Sequence, residues 1–314
     1  MGDRMMQSHG VSLSRRSFLG SMAAVGAASL VPAKVFGADA KPDSLFGGVQ
    51  IGVITYSYRS MPGDAASVLK HVVASGINSI ELMGNTAESF AGCPGGNAKD
   101  PAQVKAMLDW RLAAPMEKFE ALRKLYQDAG VGIHIVKFGD IGGKDMSDGQ
   151  IDYYFRVAKA LGAKGITREI DENAAKRLGP VADKHGILIG FHNHMQINAT
   201  TYDGPILTYG KNLAINLDIG HYTAANDDSV LAVIEKYHDR IISLHLKDRK
   251  NKANKGANLP FGQGDTPVPA ALQYIKKNKL PIFGDIELEY AISKDSDAVK
   301  EVAKCVQFCK QALA

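Results

Sequence analysis

Eight short apolar runs recur along this chain, and most of them end at or beside a charged or imidazole side chain. They are Val49–Thr55, Ser79–Met83, Gly132–Lys137, Gly165–Glu169, Leu188–His192, Ala214–Asp218, Ile241–Leu246 and Phe283–Glu289. Between them lie segments of helical periodicity: Ala65–Ala74, Met116–Ala129, Ile151–Leu161, Asp171–Lys184, Val230–Tyr237, Pro269–Asn278 and Ala298–Leu313. Glycine-containing helix stops precede many of the runs, as in Ala74-Ser75-Gly76, Asp128-Ala129-Gly130 and Lys184-His185-Gly186. A unit of helix, Gly, strand and polar tip, repeated at roughly 25–30 residues, is the pattern of βα units on a parallel sheet. Eight such units in about 270 residues predict a single (β/α)8 TIM barrel. An open doubly wound sheet would gather its chemistry at one switch point, whereas here polar residues mark almost every tip. No phosphate-cradling G-x-G-x-x-G opens a helix.

The first forty residues read as an export signal. Ser14-Arg15-Arg16-Ser17-Phe18-Leu19 carries a twin-arginine pattern, small apolar residues run from Met22 to Val31, and Ala38-Asp39-Ala40 offers a cleavage site before Lys41. The expected division is a signal peptide over 1–40 and one barrel domain over 41–314, with a periplasmic or otherwise extracytoplasmic destination. An uncleaved anchor is the alternative, but the apolar stretch is short for a membrane span. No later run approaches ~18 apolar residues, so no membrane association is expected after cleavage. The formal charge is +4, and residues 1–40 hold Arg4, Arg15, Arg16 and Lys34 against Asp3 and Asp39. The near-neutral remainder gives no electrostatic footprint for nucleic acid. The three cysteines, Cys93, Cys305 and Cys309, form no disulfide framework; the last two share a face of the final helix and read as small buried residues.

Two stretches are too long to be simple connections. One covers 91–115, with Ala91-Gly92-Cys93-Pro94-Gly95-Gly96-Asn97, a helical segment Pro101–Arg111 and the sole tryptophan, Trp110. The other, 247–267, follows the seventh run and is polar with several glycines. Long loops after barrel strands lie over the active face, so both are candidate lids.

Four tips carry the chemistry. Glu169 ends Ile166-Thr167-Arg168-Glu169, Asp218 ends Ile215-Asn216-Leu217-Asp218, His245 lies in Ser243-Leu244-His245-Leu246, and Glu287 lies in Ile286-Glu287-Leu288-Glu289. Residues two apart on a strand share a face, so Glu287 and Glu289 compete for one role, and His192 and His194 point the same way. Three carboxylates and one imidazole make a mixed oxygen/nitrogen site for a single divalent ion, Mn²⁺ first, with Mg²⁺, Co²⁺ or Zn²⁺ as alternatives. Four such residues at strand ends are hard to explain as packing, because unpaired buried carboxylates are costly. Glu81, at the end of Ile80-Glu81, joins them on the expected active face.

Leu217-Asp218-Ile219-Gly220-His221, Ser243-Leu244-His245-Leu246-Lys247-Asp248 and Ile286-Glu287-Leu288-Glu289-Tyr290 resemble the signatures of the xylose-isomerase-like TIM barrels, the sugar phosphate isomerase/epimerase superfamily. Phe191-His192-Asn193-His194, Pro260-Phe261-Gly262-Gln263-Gly264-Asp265-Thr266-Pro267 and Ile80-Glu81-Leu82-Met83-Gly84, the last similar to an exported subgroup, extend the resemblance over about residues 47–314. The resemblance implies one divalent metal held by Glu169, Asp218, His245 and Glu287. In many relatives the first ligand sits on the strand that here carries His192 and His194, so either histidine is an alternative.

The implied chemistry is proton abstraction next to a carbonyl, with the metal stabilising the enediolate. Glu169 and Glu287 are the expected bases, His194 or His192 an acid, and His221 and Lys247 act on substrate oxygens; Glu81, His192, His221, Lys247 and Glu289 complete the substrate contacts. The partner is a small-molecule sugar, and a homo-oligomer is compatible. The first expectation is therefore a metal-dependent isomerase or epimerase of a free sugar or keto-sugar. A 3-keto-glycoside or inosose-dehydratase-like lyase using the same site is the alternative. A non-catalytic sugar-binding protein is the alternative of another class, and a nuclease is disfavoured by charge. Residues 1–40 fused to a reporter should direct export, and replacing Arg15 and Arg16 by Lys should abolish it; fractionation of cells carrying both fusions checks this.

Overall fold

A computed structural model describes residues 41–95 and 100–314; residues 1–40, on which the expected signal peptide falls, and residues 96–99 of the first long insert lie outside the described residues. Eight parallel strands close into a barrel: β1 (Val49–Ile54), β2 (Ser79–Met83), β3 (Gly132–Lys137), β4 (Gly165–Glu169), β5 (Leu188–His192), β6 (Leu213–Asp218), β7 (Ile241–Leu246) and β8 (Phe283–Ile286). Each pairs with its sequence neighbours, and β1 closes the ring against both β8 and β2. This is the expected TIM barrel. A two-residue strand, Leu45–Phe46, pairs antiparallel with β1.

The helices are α1 (Ala65–Ala74), α2 (Gly84–Ala91), α3 (Pro101–Ala113), α4 (Met116–Asp128), α5 (Asp148–Leu161), α6 (Glu172–His185), α7 (Ile219–Ala225), α8 (Val230–Tyr237), α9 (Val268–Asn278) and α10 (Ala298–Ala312). Periodicity misses α2 and α7, which at 8 and 7 residues are too short to show an apolar stripe. Helix α5 starts three residues before the apolar pattern does, because Ser147 and Gln150 form a reciprocal capping box. Strand β8 stops at Ile286 rather than Glu289, yet the Glu287 amide still donates to Leu246 O at 3.0 Å, so Glu287 keeps the inward side. Cys305 and Cys309 are free and buried under α10. Among the described residues no helix is long and apolar enough to cross a membrane.

The main core lies between the strands and the helical ring. Inside the barrel a smaller cluster, Ile135, Ala214 and Ile242, is packed against Leu188. A Cβ at Gly165 would come within 2.7 Å of Ile242, so the bare backbone there makes room for it. The barrel interior also holds a buried polar chain toward the strand N-termini: Ser79 Oγ to His134 Nδ1 at 2.8 Å and His134 Nε2 to Asp285 Oδ2 at 3.0 Å.

The two long inserts behave differently. Helix α3 docks on the outer layer, where buried Arg111 makes two hydrogen bonds to Glu88, at 2.7 and 2.9 Å, and one to Tyr154 at 2.7 Å. Trp110 packs edge-on to Tyr153 and beside Phe119, so helix α3 is held against α4 and α5. The 247–267 insert is a short ribbon, Asp248–Arg249 paired with Asn258–Leu259. Its centre is the buried Asp248 carboxylate, which accepts from the amides of Gly262 at 2.8 Å, Gly264 at 2.9 Å and Thr266 at 3.3 Å. A Cβ at Gly264 would sit 2.0 Å from Asp248 Oδ1, which explains the glycine.

Gly52 is a similar close approach in the barrel wall: an added Cβ would lie 2.2 Å from Asp285 Oδ1 and 3.0 Å from Ser79 O. Gly52→Ala should therefore cost about 1–3 kcal/mol through overpacking, read as a lowered melting temperature, whereas Gly48→Ala, with open space at its Cβ but φ of +84°, reports backbone strain alone.

Candidate metal centre

Asp218 ends β6 and is also the N-cap of α7. Its Oδ1 accepts from the His221 amide at 2.7 Å. Its Oδ2 is buried without a hydrogen bond: Lys247 Nζ lies 2.9 Å away but out of line for one. Burial holds the Asp218 carboxyl above its usual range, further than Lys247 can pull it down. Gly220 follows because a Cβ there would meet Lys247 O at 2.6 Å, so the D-I-G-H run lets α7 abut the end of β7. Asn193 ties the neighbouring tip in place, accepting from the Asp218 amide at 2.9 Å and donating to Asp218 O at 3.2 Å.

His245, in register with Asp218 one strand on, is fully buried between two carboxylates. Its Nε2 lies 2.9 Å from Glu81 Oε2 and its Nδ1 2.9 Å from Glu287 Oε2. Burial alone would lower its pKa, but Glu81 and Glu287 outweigh it and push it up to about 10. Burial likewise opposes ionisation of Glu287, yet Lys247 and His245 hold it well below the usual carboxylate range. Glu81, expected to touch substrate, is fully buried; it accepts from Thr167 Oγ1 at 2.5 Å and from His245, so it supports the imidazole from behind.

His192 ends β5, and burial, with Lys137 and His245 nearby, keeps it well below an ordinary histidine pKa. Its Nδ1 is 2.6 Å from Asn216 Oδ1, and Asn216 Nδ2 donates to Ser243 Oγ at 2.6 Å. That chain orients the ring and leaves Nε2 for another partner. Its ring centroid lies 4.6 Å from that of His245, and His194 and His221 continue the row at 5.2 and 4.9 Å.

His192, Asp218, His245 and Glu287 each offer a ligand atom, all within 4.8 Å of one another, and all four residues are buried. Two imidazoles and two carboxylates, one of which keeps a buried oxygen without a hydrogen bond, are a donor set that fits a divalent cation. Three of these match the expected ligands. The fourth differs: Glu169 lies outside the group and His192 stands in its place. Glu169 is in register with His192 but reaches the rim, where Lys137 Nζ holds its Oε1 at 3.0 Å and its side chain is 36% exposed. Its Oε2 has no hydrogen bond, with His194 Nε2 3.7 Å away, and Glu169, His192 and His194 form a second, less buried grouping of possible ligands.

The remaining expected residues surround the same place. Lys247 Nζ lies 3.0 Å from Glu287 Oε2 and 2.9 Å from Glu289 Oε2; burial disfavours its charge, but Asp218, Glu287 and Glu289 hold its pKa above the ordinary value. Glu289 is one-quarter exposed at the rim, so of the two candidates Glu287 is the inner one. His221 Nε2 lies 3.0 Å from Lys247 Nζ and its Nδ1 2.5 Å from Arg249 Nη1; burial, then Lys247 and Arg249, push its pKa down to about 3. Arg249, Asn216, Ser243 and Thr167 were not expected at the site. Asn216 and Ser243 share the strand parity of Asp218 and His245, a signal that could have marked them.

Residues 171–310 match the family described as Xylose isomerase-like TIM barrel. No curated protein matches the chain by sequence. Among solved structures the barrel is similar to the probable 3-DHS dehydratase of petrobactin synthesis from Bacillus anthracis, at 13% identity and a TM-score of 0.60 over 82% of this chain and 99% of that one. It is similar to 3-keto-D-glucoside 4-epimerase from E. coli, at 12% identity and a TM-score of 0.58 over 84% and 99%. A xylose isomerase-like TIM barrel protein from Mycobacterium smegmatis, in complex with magnesium, superimposes at 13% identity and 0.55 over 85% and 98%.

The raised pKa of His245 has a definite sign. In the ion-free chain it contributes stability that is fully present below the ordinary value of 6.5 and is lost as pH rises through about 10. A divalent ion that takes His245 must displace this proton, so binding should release one proton from His245 at pH 7–8, with apparent affinity rising about tenfold per pH unit toward pH 10. Calorimetric titration with Mn²⁺ in buffers of different ionisation enthalpy measures both quantities.

Proposed function

We propose that this chain is a divalent-metal-dependent enzyme that isomerises or epimerises an uncharged sugar or keto-sugar by moving the proton on the carbon next to its carbonyl. The observation that carries the reading is the buried His192–Asp218–His245–Glu287 group directly beneath a rim of further acid/base residues. The bound ion, Mn²⁺ by preference, with Mg²⁺, Co²⁺ or Zn²⁺ as alternatives, would supply the Lewis acidity that stabilises an enediolate. Charge balance supports a neutral substrate. Glu81, Glu169, Asp218, Glu287 and Glu289 face Lys137, Lys247 and Arg249, so a divalent ion brings the site to neutrality and leaves no excess cation for a phosphate.

The chain's own residues divide the work. Glu169 Oε2, without a hydrogen bond and beside His194, is placed to take the proton, while Lys137 keeps its other oxygen fixed. Glu289, a quarter exposed and held by Lys247, can return a proton from the other side of the rim. Lys247 and His221 face the substrate oxygens, and Glu81, Asn216 and Thr167 hold the inner histidines at fixed angles. A lyase reading has one observation in its favour. His194 is 58% exposed at the mouth, 3.7 Å from Glu169, where it could protonate a leaving hydroxyl or glycosidic oxygen after the same proton abstraction. Action in the periplasm is part of the proposal and rests on Ser14–Leu19.

His192→Ala and Asp218→Asn should each lose the ion. Glu169→Gln should keep it and lose ~10²–10⁴ of the rate of α-proton exchange from a 3-keto-sugar into deuterated water. Metal analysis and proton NMR of the same samples decide it. Full exchange in Asp218→Asn, or ion loss in Glu169→Gln with retention in His192→Ala, would reject these assignments.

A further inference from the structure

His221 is gripped from both sides by groups that can only donate. Arg249 Nη1 lies 2.5 Å from its Nδ1 and Lys247 Nζ lies 3.0 Å from its Nε2. A neutral imidazole has one acceptor nitrogen and one N–H, so only one of these contacts can be a hydrogen bond to His221. The other sets a donor against a donor.

We infer that Arg249 is a positioning residue: by donating to Nδ1 it fixes His221 as the Nε2–H tautomer, which then presents a donor to a substrate oxygen beside Lys247. The inference rests on the sugar-enzyme reading above. Three observations favour Arg249 as the partner that prevails. Its contact is the shorter one. Its guanidinium is anchored, with Nε donating to Gly256 O at 2.8 Å, and its backbone is pinned by Thr266 Oγ1 at 3.1 Å and by the Asp265 amide at 2.8 Å. Lys247, by contrast, has Asp218, Glu287 and Glu289 within 3.0 Å and can give up His221 while remaining paired.

The Nε2 side of His221 faces the site. Asp218 Oδ2 is 3.8 Å and Glu289 Oε2 4.0 Å from Nε2, and the His194 ring stands 4.9 Å off, centroid to centroid. No carboxylate is close enough to claim the Nε2 proton, so a sugar hydroxyl or carbonyl oxygen arriving beside Lys247 would be its natural acceptor. The His221 backbone is itself fixed by the Asp218 cap, so ring orientation and tautomer are set from opposite ends. The third residue of the 247–267 insert thereby reaches into the chemistry, a role that its position in the sequence does not suggest.

Long-range ¹H–¹⁵N correlation spectra of protein labelled with ¹⁵N-histidine, metal-free and loaded with Mg²⁺, test this, with His221→Asn identifying the resonances. The expected pattern is an unprotonated Nδ1 and a protonated Nε2 in both forms. Arg249→Ala should move the two nitrogens toward a tautomer average, whereas Lys247→Met should leave the pattern as it is. A proton on Nδ1, an imidazolium ring, a pattern that survives Arg249→Ala, or a flip in Lys247→Met would each overturn the inference. The Lys247→Met arm leaves the Asp248 and Arg249 contacts that order the insert in place, so it remains decisive if Arg249→Ala folds poorly. Magnesium content of the same samples reports separately on the metal reading, because the tautomer is expected without the ion as well.

Discussion

The hydrogen bonds that clamp His245 between Glu81 and Glu287 span the mouth of the barrel, joining strands β2 and β7 and the chain just past β8. None of the three side chains could be buried alone, since an unpaired charge in that position costs several kcal/mol. Each is tolerable because the other two are present, and Thr167 occupies the remaining oxygen of Glu81. The clamp therefore couples the tips of distant strands. Lys247, 3.0 Å from Glu287, supplies the second positive charge that the two carboxylates need, and Asp218 and His192 are packed beside this group.

Around that clamp the chain uses residues that serve twice. Asp218 starts a helix with one oxygen and faces the site with the other. Asn193 separates two inward histidines while stitching β5 to the Asp218 backbone on β6. Asn216 orients His192 and leans on Ser243 of the next strand. Because each polar group is bonded to a neighbour on another strand, the site is a property of the closed barrel and not of any segment.

The fold was legible because strand, helix and glycine stop recur with a regular spacing, and short-range signals suffice to count them. Asp218, His245 and Glu287 were legible for the same reason: each sits where an apolar run gives way to a polar tip. The residue that completes their group was left open between Glu169 and the two histidines, His192 and His194. Glu169 and His192 end adjacent strands and occupy equivalent register, so periodicity treats them alike. What separates them is depth, with Lys137 drawing Glu169 to the rim and Asn216 holding His192 inside. Glu81 was placed on the correct face but assigned to substrate, since nothing local says that His245 will cover it. Arg249 was hidden altogether, because its reach depends on the path of an insert that carries no periodicity.

That insert is organised by a single carboxylate. Three backbone amides converge on Asp248, and its immediate neighbours Lys247 and Arg249 inherit their placement from a loop some fifteen positions downstream. A segment arranged in this way has surrendered its conformational freedom during folding, so a ligand entering the pocket does not have to supply that ordering. The 247–267 stretch accordingly forms a wall of the pocket and not a door to it, and any opening that admits a small molecule must be found elsewhere on the rim.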